Sequence, residues 1–245
     1  MNPVSQWLLI GGFALALICA FAMIFSGIGY QLGLWHFRTG IGIIRWTFWG
    51  AAAAVLITGA GLLFPGPRSA AVLVLGVIGL VVAGAGVYIP WSWKQTLDSL
   101  PYIHDITTDL ENPPAFVAVK GLRKEGDHPV DYDGPEVAQQ QKQAYPDLAP
   151  LVTSQPPEKV FEAAKTAIAR MGLALVEANA EEGRIEATHT SLLYGFRDDV
   201  VVRIVKSAEG TRVDVRSKSR VGRSDFGQNA KRVRRFLAEL QAALA

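Results

Sequence analysis

Apolar side chains run almost unbroken through the first third of the chain and then give way to shorter, periodic patterns. Trp7 to Tyr30 is 24 residues without a charge, Trp46 to Phe64 is 19, lengthened by Ile43 and Ile44, and Ala70 to Ile89 is 20. A hydrocarbon core of roughly 30 Å takes about 20 helical residues to cross. The pattern therefore predicts three transmembrane helices, at about 7–30, 43–64 and 70–90, forming a membrane anchor over residues 1–93. A buried soluble core would need polar faces to meet water, and three such runs leave none. Trp7, Tyr30, Trp35, Trp46, Tyr88, Trp91 and Trp93 stand near the predicted ends, where half-wet rings collect. Pro65-Gly66-Pro67-Arg68 is a tight turn between the second and third spans. Small pairs four apart, Ala22/Ser26, Gly50/Ala54 and Gly79/Ala83, allow close helix approach.

Residues 94–149 are polar and proline-rich and read as a linker of loops and extended segments. A compact domain is predicted over 150–245. Leu151 to Ser154 reads as a strand, and Pro156-Pro157 opens a helix, since proline suits the first turn. Val160, Phe161, Ala164, Ile168 and Met171 recur on one helical face, and Gly172 stops it. Leu173–Ala178 and Arg184–Thr190 read as strands joined by the Glu181-Glu182-Gly183 turn, followed by strands over Val200–Val205 and Arg212–Arg220. In the last of these, Val213 and Val215 point one way and Arg212, Asp214, Arg216, Lys218 and Arg220 the other. Asp225 and Gln228 resemble a capping box for a final helix, buried through Val233, Phe236, Leu237 and Leu240. The order β-α-β-β-β-β-α predicts an α+β fold, an antiparallel sheet with two helices on one face. The other face, rich in arginine, is then open to solvent or to a partner.

Charge divides at the same place. The formal net charge is +2, yet residues 1–93 hold only Arg38, Arg45 and Arg68, while residues 94–245 hold 21 basic and 22 acidic side chains. No Asp, Glu or Lys lies within a span, and Arg45 and His36 stand at or near span ends. That disfavours an ion or proton pathway, so the helices read as an anchor. Met1 to Gln6 carries no Lys or Arg, so the first run reads as an uncleaved anchor and not as a signal peptide. Arg38, Arg45 and Lys94 on one side, against Arg68 on the other, lean toward a cytoplasmic C-terminal domain by a margin of two. The single cysteine, Cys19, excludes an intrachain disulfide and a cysteine-cluster metal site.

His104, Asp105 and Asp109 form the densest polar cluster. A zinc site wants three ligands with fixed outer partners, and two carboxylates with one histidine on a loop read more simply as turn caps. No metal is expected, and without a Walker loop or a Gly-rich dinucleotide turn no cofactor is expected either. Residues 203–235 carry 11 Lys and Arg against Glu209, Asp214 and Asp225, a local +8. Such a surface suits an anion, with Arg203, Arg216 and Arg220 as bidentate readers and Asp198, Asp199, Asp225 and Asn229 beside them. Anionic lipid is the nearest candidate for a juxtamembrane domain. The same residues also fit a purely architectural reading. Arg203, Arg216 and Arg220 can pair across strands with Asp198, Asp199, Glu186 and Asp214, Gly222 and Gly227 can supply turns, and Asp225 can cap a helix. The alternative activity is a hydrolase-like enzyme around Asp198, Asp199 and Asp225, although adjacent strand residues point to opposite faces. Nucleic acid is disfavoured, because only Phe226 and Phe236 could stack on bases there.

Phe196-Arg197-Asp198-Asp199-Val200-Val201-Val202-Arg203 and the run from Val213 to Asn229 resemble the DUF1499 family. The family's hallmark is a strand ending in Arg-Ser-x-Ser-Arg-x-Gly-x-Ser-Asp-x-Gly-x-Asn before a terminal helix, and Arg216 to Asn229 carries every fixed position. Tyr145-Pro146-Asp147-Leu148-Ala149-Pro150 and Glu186-Ala187-Thr188 fit as well, so the resemblance covers roughly residues 100–240. It implies no assigned activity. It implies an outward domain, because members with a secretory or lipoprotein-like N-terminus carry theirs outside the cytoplasm. This chain departs from them in its three spans, and in having Asp105-Ile106-Thr107-Thr108-Asp109 where such members have a cysteine-containing segment. The expectation is a membrane-anchored binding or assembly module in a bacterial-type inner membrane, with its C-terminal domain on the periplasmic side. The expected partners are the lipid bilayer and either anionic lipid or another envelope protein.

Overall fold

The computed structural model describes residues 3–245. It divides into two compact units, one of residues up to Thr96 with Leu193–Gly195, the other of Leu97–Leu192 and Phe196–Ala245.

The helical unit contains α1 (Val4–Gln31), α2 (Phe37–Leu63) and α3 (Ala70–Ser99), each long and apolar enough to cross a membrane. The helices overrun the apolar runs that predict them. α2 already starts at Phe37, where the His36 ring accepts from the Arg38 amide, so Arg38 and Arg45 lie on the helix and not in a loop. α3 continues through Pro90 to Ser99. Hydropathy marks the stretch that hydrocarbon covers, and helical hydrogen bonding extends past it into the polar interface. Small residues let the helices close. A Cβ on Gly12 would stand 2.1 Å from Thr58 Oγ1, and one on Gly79 would stand 2.9 Å from the Phe13 Cα. Ala16, Ala54 and Ala83, one from each helix, meet in a small cluster. Close backbone approach is what drives association between helices in lipid, where burying apolar surface gains nothing. The large side chains face outward. Trp7, Phe21, Trp46, Leu56 and Val81 are all exposed, a surface that hydrocarbon satisfies and water does not. Arg68 donates to the Gly61 and Leu62 carbonyls at 3.1 and 2.9 Å, closing the end of α2. Within the same unit the Tyr194 hydroxyl lies 2.9 Å from Ser26 Oγ, and its ring occupies space that a side chain at Gly40 would take.

The other unit is built on one antiparallel sheet. Its strands are β1 (Asp105–Thr107), β2 (Leu151–Thr153), β3 (Ala174–Asn179), β4 (Arg184–Thr190), β5 (Arg197–Ser207) and β6 (Gly210–Ser219). They run in the order β1-β6-β5-β4-β3, with β2 also paired to β6. β5 and β6 form a long hairpin whose register runs from Ser207 opposite Gly210 to Asp198 opposite Ser219. The two-residue period sends Val200, Val202, Ile204, Val213 and Val215 to one face. There they pack under α5 (Pro157–Arg170) and α6 (Gln228–Leu244), against Phe161, Ile168, Phe236 and Leu240. α5 starts on Pro156-Pro157 and ends at Met171, with Gly172 at φ +69° turning the chain away.

Two expectations change here. Residues 94–149, read from the sequence as linker and loops, contribute β1, a 3-10 helix (Ala118–Leu122) and α4 (Pro135–Ala144). Ile103, Ile106, Phe116 and Val119 from this segment are buried. Phe116 and Val119 pack with Val201 on the second face of the sheet, so that face is covered and not open to solvent. A row of charged side chains reads as a wet surface when the chain that brings its counter-charges lies about a hundred residues upstream. Nor does α6 begin with the capping box. Gly227, at φ +73°, is its N-cap, and Asp225 accepts from the amides of Gly227 and Asn229 at 2.8 and 2.6 Å.

Candidate functional site

Alternate residues of β6 line up on the covered face, and each finds a partner brought by the preceding segment or by β5. Arg216 donates to both carboxylate oxygens of Asp105 at 2.8 and 2.7 Å and to the carbonyls of Pro114 and Val130. Its guanidinium lies 4.8 Å from the Phe116 ring centroid and 5.4 Å from that of Tyr132. Burial, with Asp105 adding to it, pushes the Tyr132 hydroxyl up to about 12. Lys218 has no exposed surface; its Nζ lies 2.6 Å from Asp133 Oδ1 and from the Asp131 carbonyl, and 3.3 Å from Asp105. Arg220 holds Asp199 through Nε at 3.0 Å and Nη2 at 2.8 Å, and donates to the Leu122 carbonyl. Arg123 and the Thr188 hydroxyl complete the shell of Asp199. Arg203 stands opposite Asp214 in the register and donates to it at 2.8 Å, and both Arg203 and Arg212 reach Asp109. Glu186 accepts from three successive amides, Val117, Ala118 and Val119, at 2.9, 3.0 and 2.9 Å, and pairs with Arg184.

The charges on this face balance. Asp105, Glu186, Asp199 and Asp214 are buried with Arg184, Arg216, Lys218 and Arg220. A buried charge is tolerated only when it is paired and its remaining hydrogen-bonding capacity is filled, and here carbonyls and amides fill it. Arg216 and Arg220, expected to read an outside anion, are 2% and 4% exposed. They read the protein's own backbone and carboxylates.

The end of the motif works on the opposite face. Asn229 Oδ1 accepts from Ser217 at 2.7 Å and from Arg232, while its Nδ2 donates to the His104 carbonyl and to Ser219, both at 2.9 Å. Arg232 continues to Asp198 at 2.7 Å and to His189 Nδ1 at 3.1 Å. Burial works against ionising Asp198, but its hydrogen bond with His189 and the charge of Arg232 outweigh that and hold its pKa below the usual carboxylate range. Asp225 goes the other way. Burial raises it, the Asp198 charge adds to that, and the two amides it caps only partly compensate.

The seven residues singled out from the sequence therefore do not converge on one open site. Arg203, Arg216, Arg220 and Asp199 belong to the ionic layer, Asp198 and Asn229 to the network under α6, and Asp225 to a helix cap. Asp198 and Asp199 point to opposite faces, as adjacent strand residues must. Of the cross-strand partners open to the three arginines, Arg203 takes Asp214 and Arg220 takes Asp199, while Arg216 pairs with Asp105, which was not among them. The cluster of His104, Asp105 and Asp109 is pulled apart. Asp105 goes to Arg216 and Lys218, Asp109 goes to Arg203 and Arg212 while also capping the Glu111 and Asn112 amides, and His104 stacks on His128.

Sequence reasoning missed Arg123 and Arg232, and assigned Asp105 to another role. One signal was present: a local +8 in a sheet strand needs acids from elsewhere if that strand is central. Seven of the 11 cations in 203–235 are ion-paired, namely Arg203, Arg212, Arg216, Lys218, Arg220, Arg232 and Arg234. Most of their acids, Asp105, Asp109, Asp133, Asp147, Asp198 and Asp199, lie outside that stretch. The other four, Lys206, Arg223, Lys231 and Arg235, are exposed.

No curated protein matches the chain. Residues 105–240, more than half of its length, match the family model described as protein of unknown function (DUF1499).

Proposed function

We propose that the chain, which belongs to the DUF1499 family, is a membrane-anchored binding or assembly module whose motif residues build the domain and whose leftover cations meet an anionic surface. The observation that carries this reading is the division of the 11 cations between 203 and 235 into seven internally paired and four exposed. Lys231 and Arg235 are four residues apart on α6 and so share one face, and Arg223 lies in the loop that precedes the helix. Arg203, Arg216 and Arg220 then set the framework and do not touch the ligand. In this reading the C-terminal domain lies on the periplasmic side of a bacterial-type inner membrane, where anionic lipid headgroups supply the surface.

The test uses the full chain in nanodiscs of zwitterionic lipid, floated with vesicles containing phosphatidylglycerol. Retention at low salt is expected, weakened by added salt, and lost in the triple variant Arg223→Gln, Lys231→Gln, Arg235→Gln without a change in melting temperature. Retention that the triple variant leaves intact would overturn the reading.

A further inference from the structure

Residues 123–133 lie across the end of β6 as a strap, held by backbone hydrogen bonds and, at its two ends, by the ion pairs of Arg123 with Asp199 and of Asp133 with Lys218. The Val130 carbonyl takes Arg216, the Asp131 carbonyl takes Lys218, and the His128 amide donates to the Arg220 carbonyl at 2.7 Å. One ring contact closes the strap. The imidazoles of His104 and His128 stack with centroids 4.0 Å apart and planes 23° from parallel. His104 is fixed to the sheet, because its carbonyl accepts from the Ser219 amide at 3.0 Å and from Asn229 Nδ2 at 2.9 Å. His128 Nε2 lies 2.8 Å from the Gly222 carbonyl, which can only accept, so that nitrogen carries a proton. The pair therefore ties the strap to the sheet on one side and to the loop after β6 on the other.

We propose that the stacked His104–His128 pair is an acid-released latch that holds residues 123–133 over the cations of β6. The charged and titratable groups on the elements around it are Arg123, Lys124, Glu125, Asp127, Asp131, Tyr132 and Asp133 from the strap, Asp105 from β1, Arg216, Lys218 and Arg220 at the end of β6, and Arg223 beyond it. Neutral imidazoles stack without penalty, whereas a proton on His104 sets a positive charge against the His128 ring and beside the buried Lys218. Asp133 is the counter-charge to hand, its Oδ2 3.3 Å from His104 Nε2, but that nitrogen makes no hydrogen bond. Lys218 holds the other oxygen of that carboxylate, Oδ1, at 2.6 Å, so the charge of Asp133 is shared between the two.

Burial, and then the neighbouring His128, hold the His104 pKa below the ordinary histidine value, with Lys218 adding to the effect and Asp133 and Asp105 opposing it. A base whose pKa is depressed in the closed state takes up its proton more readily once opened. The closed strap thus keeps its full stability above the ordinary histidine pKa of about 6.5 and loses it as pH falls toward the lower value of the closed form. Opening uncovers Arg216, Lys218 and Arg220, which the closed state hides. The latch stands independently of the anionic-surface reading, since Arg223, Lys231 and Arg235 are exposed with the strap closed.

Hydrogen exchange with mass spectrometry on the full chain in nanodiscs tests it. Between about pH 7.5 and about pH 5, after correction for intrinsic exchange, protection across 123–133 is expected to fall about tenfold or more while β4 and β5 hold theirs. His104→Phe keeps a stacked ring without a titrating nitrogen and is expected to flatten the profile. His104→Gln serves as a second non-titrating variant should the first fail to fold. A wild-type strap whose protection does not change with pH would overturn the latch. So would a uniform loss that includes β4 and β5, or a non-titrating variant that opens at the same pH as the wild type.

Discussion

In the helical unit the charged side chains are Arg38, Arg45, Arg68 and Lys94, and none of them is buried. In the C-terminal unit ten charged side chains are buried: Asp105, Arg184, Glu186, Asp198, Asp199, Asp214, Arg216, Lys218, Arg220 and Arg232. Both units obey the same rule, that an interior cannot hold an uncompensated charge. The first obeys by omission and packs glycine and alanine against each other until backbones touch. The second obeys by pairing, and sets each charge among opposite charges, carbonyls and amides. The two solutions fail differently. A glycine seam fails by overcrowding, and an ionic layer fails when one partner is removed and the other stays behind.

The largest expected effect is therefore on the ionic side. Arg216→Ala leaves Asp105 buried beside a gap and abandons the Pro114 and Val130 carbonyls. Breaking a buried pair in this way costs about 3–5 kcal/mol, a fall of about 10 °C in melting temperature for a domain of this size. Thermal unfolding of the full chain in nanodiscs, followed by near-ultraviolet circular dichroism, measures it. On the apolar side Gly79→Leu drives a side chain against the Phe13 backbone, and overpacking of that kind costs about 1–3 kcal/mol. The loss is read as easier unfolding of the helices in a detergent titration, with the unfolding of the C-terminal unit unchanged. Acid probes the pairing again. Asp198 has a depressed native pKa, so its contribution is fully present above the ordinary carboxylate range and is lost as pH falls through the native value. Asp198→Asn is expected to lower stability at neutral pH and to flatten the stability profile at its acid end, measured by chemical denaturation across pH. The smallest effect is at the surface. Arg234 and Asp147 form a two-pronged pair, but both are about half exposed, so Arg234→Gln is worth less than about 1 kcal/mol.

Much of the architecture was legible. Runs of apolar residues long enough to span lipid announce their helices directly, and the valine alternation of β5 and β6 fixes which face meets α5 and α6. The ends of the helices were not legible, because hydropathy reports lipid coverage and not hydrogen bonding, as α2 shows by starting at Phe37. The segment after α3 was the larger miss. Its prolines and charges look like solvent-exposed chain, yet Asp105, Arg123 and Asp133 are counter-ions for β5 and β6. Charge patterning is local in sequence, and ion pairing is local in space. The +8 of residues 203–235 was a true count and a misleading surface, because its acids sit up to 111 positions away, the separation of Arg216 from Asp105. Glu186 was legible as a partner for arginine but not as a cap, since a carboxylate that caps a 3-10 helix from across the sheet leaves no spacing to read.

The claim that the motif is framework is tested most directly by a double-mutant cycle on Asp105 and Arg216. Asp105→Leu, Arg216→Met and the pair together are compared for melting temperature and for retention on anionic vesicles. Each single variant is expected to lose several kcal/mol, the double variant to recover most of it because no charge is left unpaired, and all three to keep vesicle retention wherever they fold. A single Arg216→Met variant that melts like the wild type and loses retention would contradict the account.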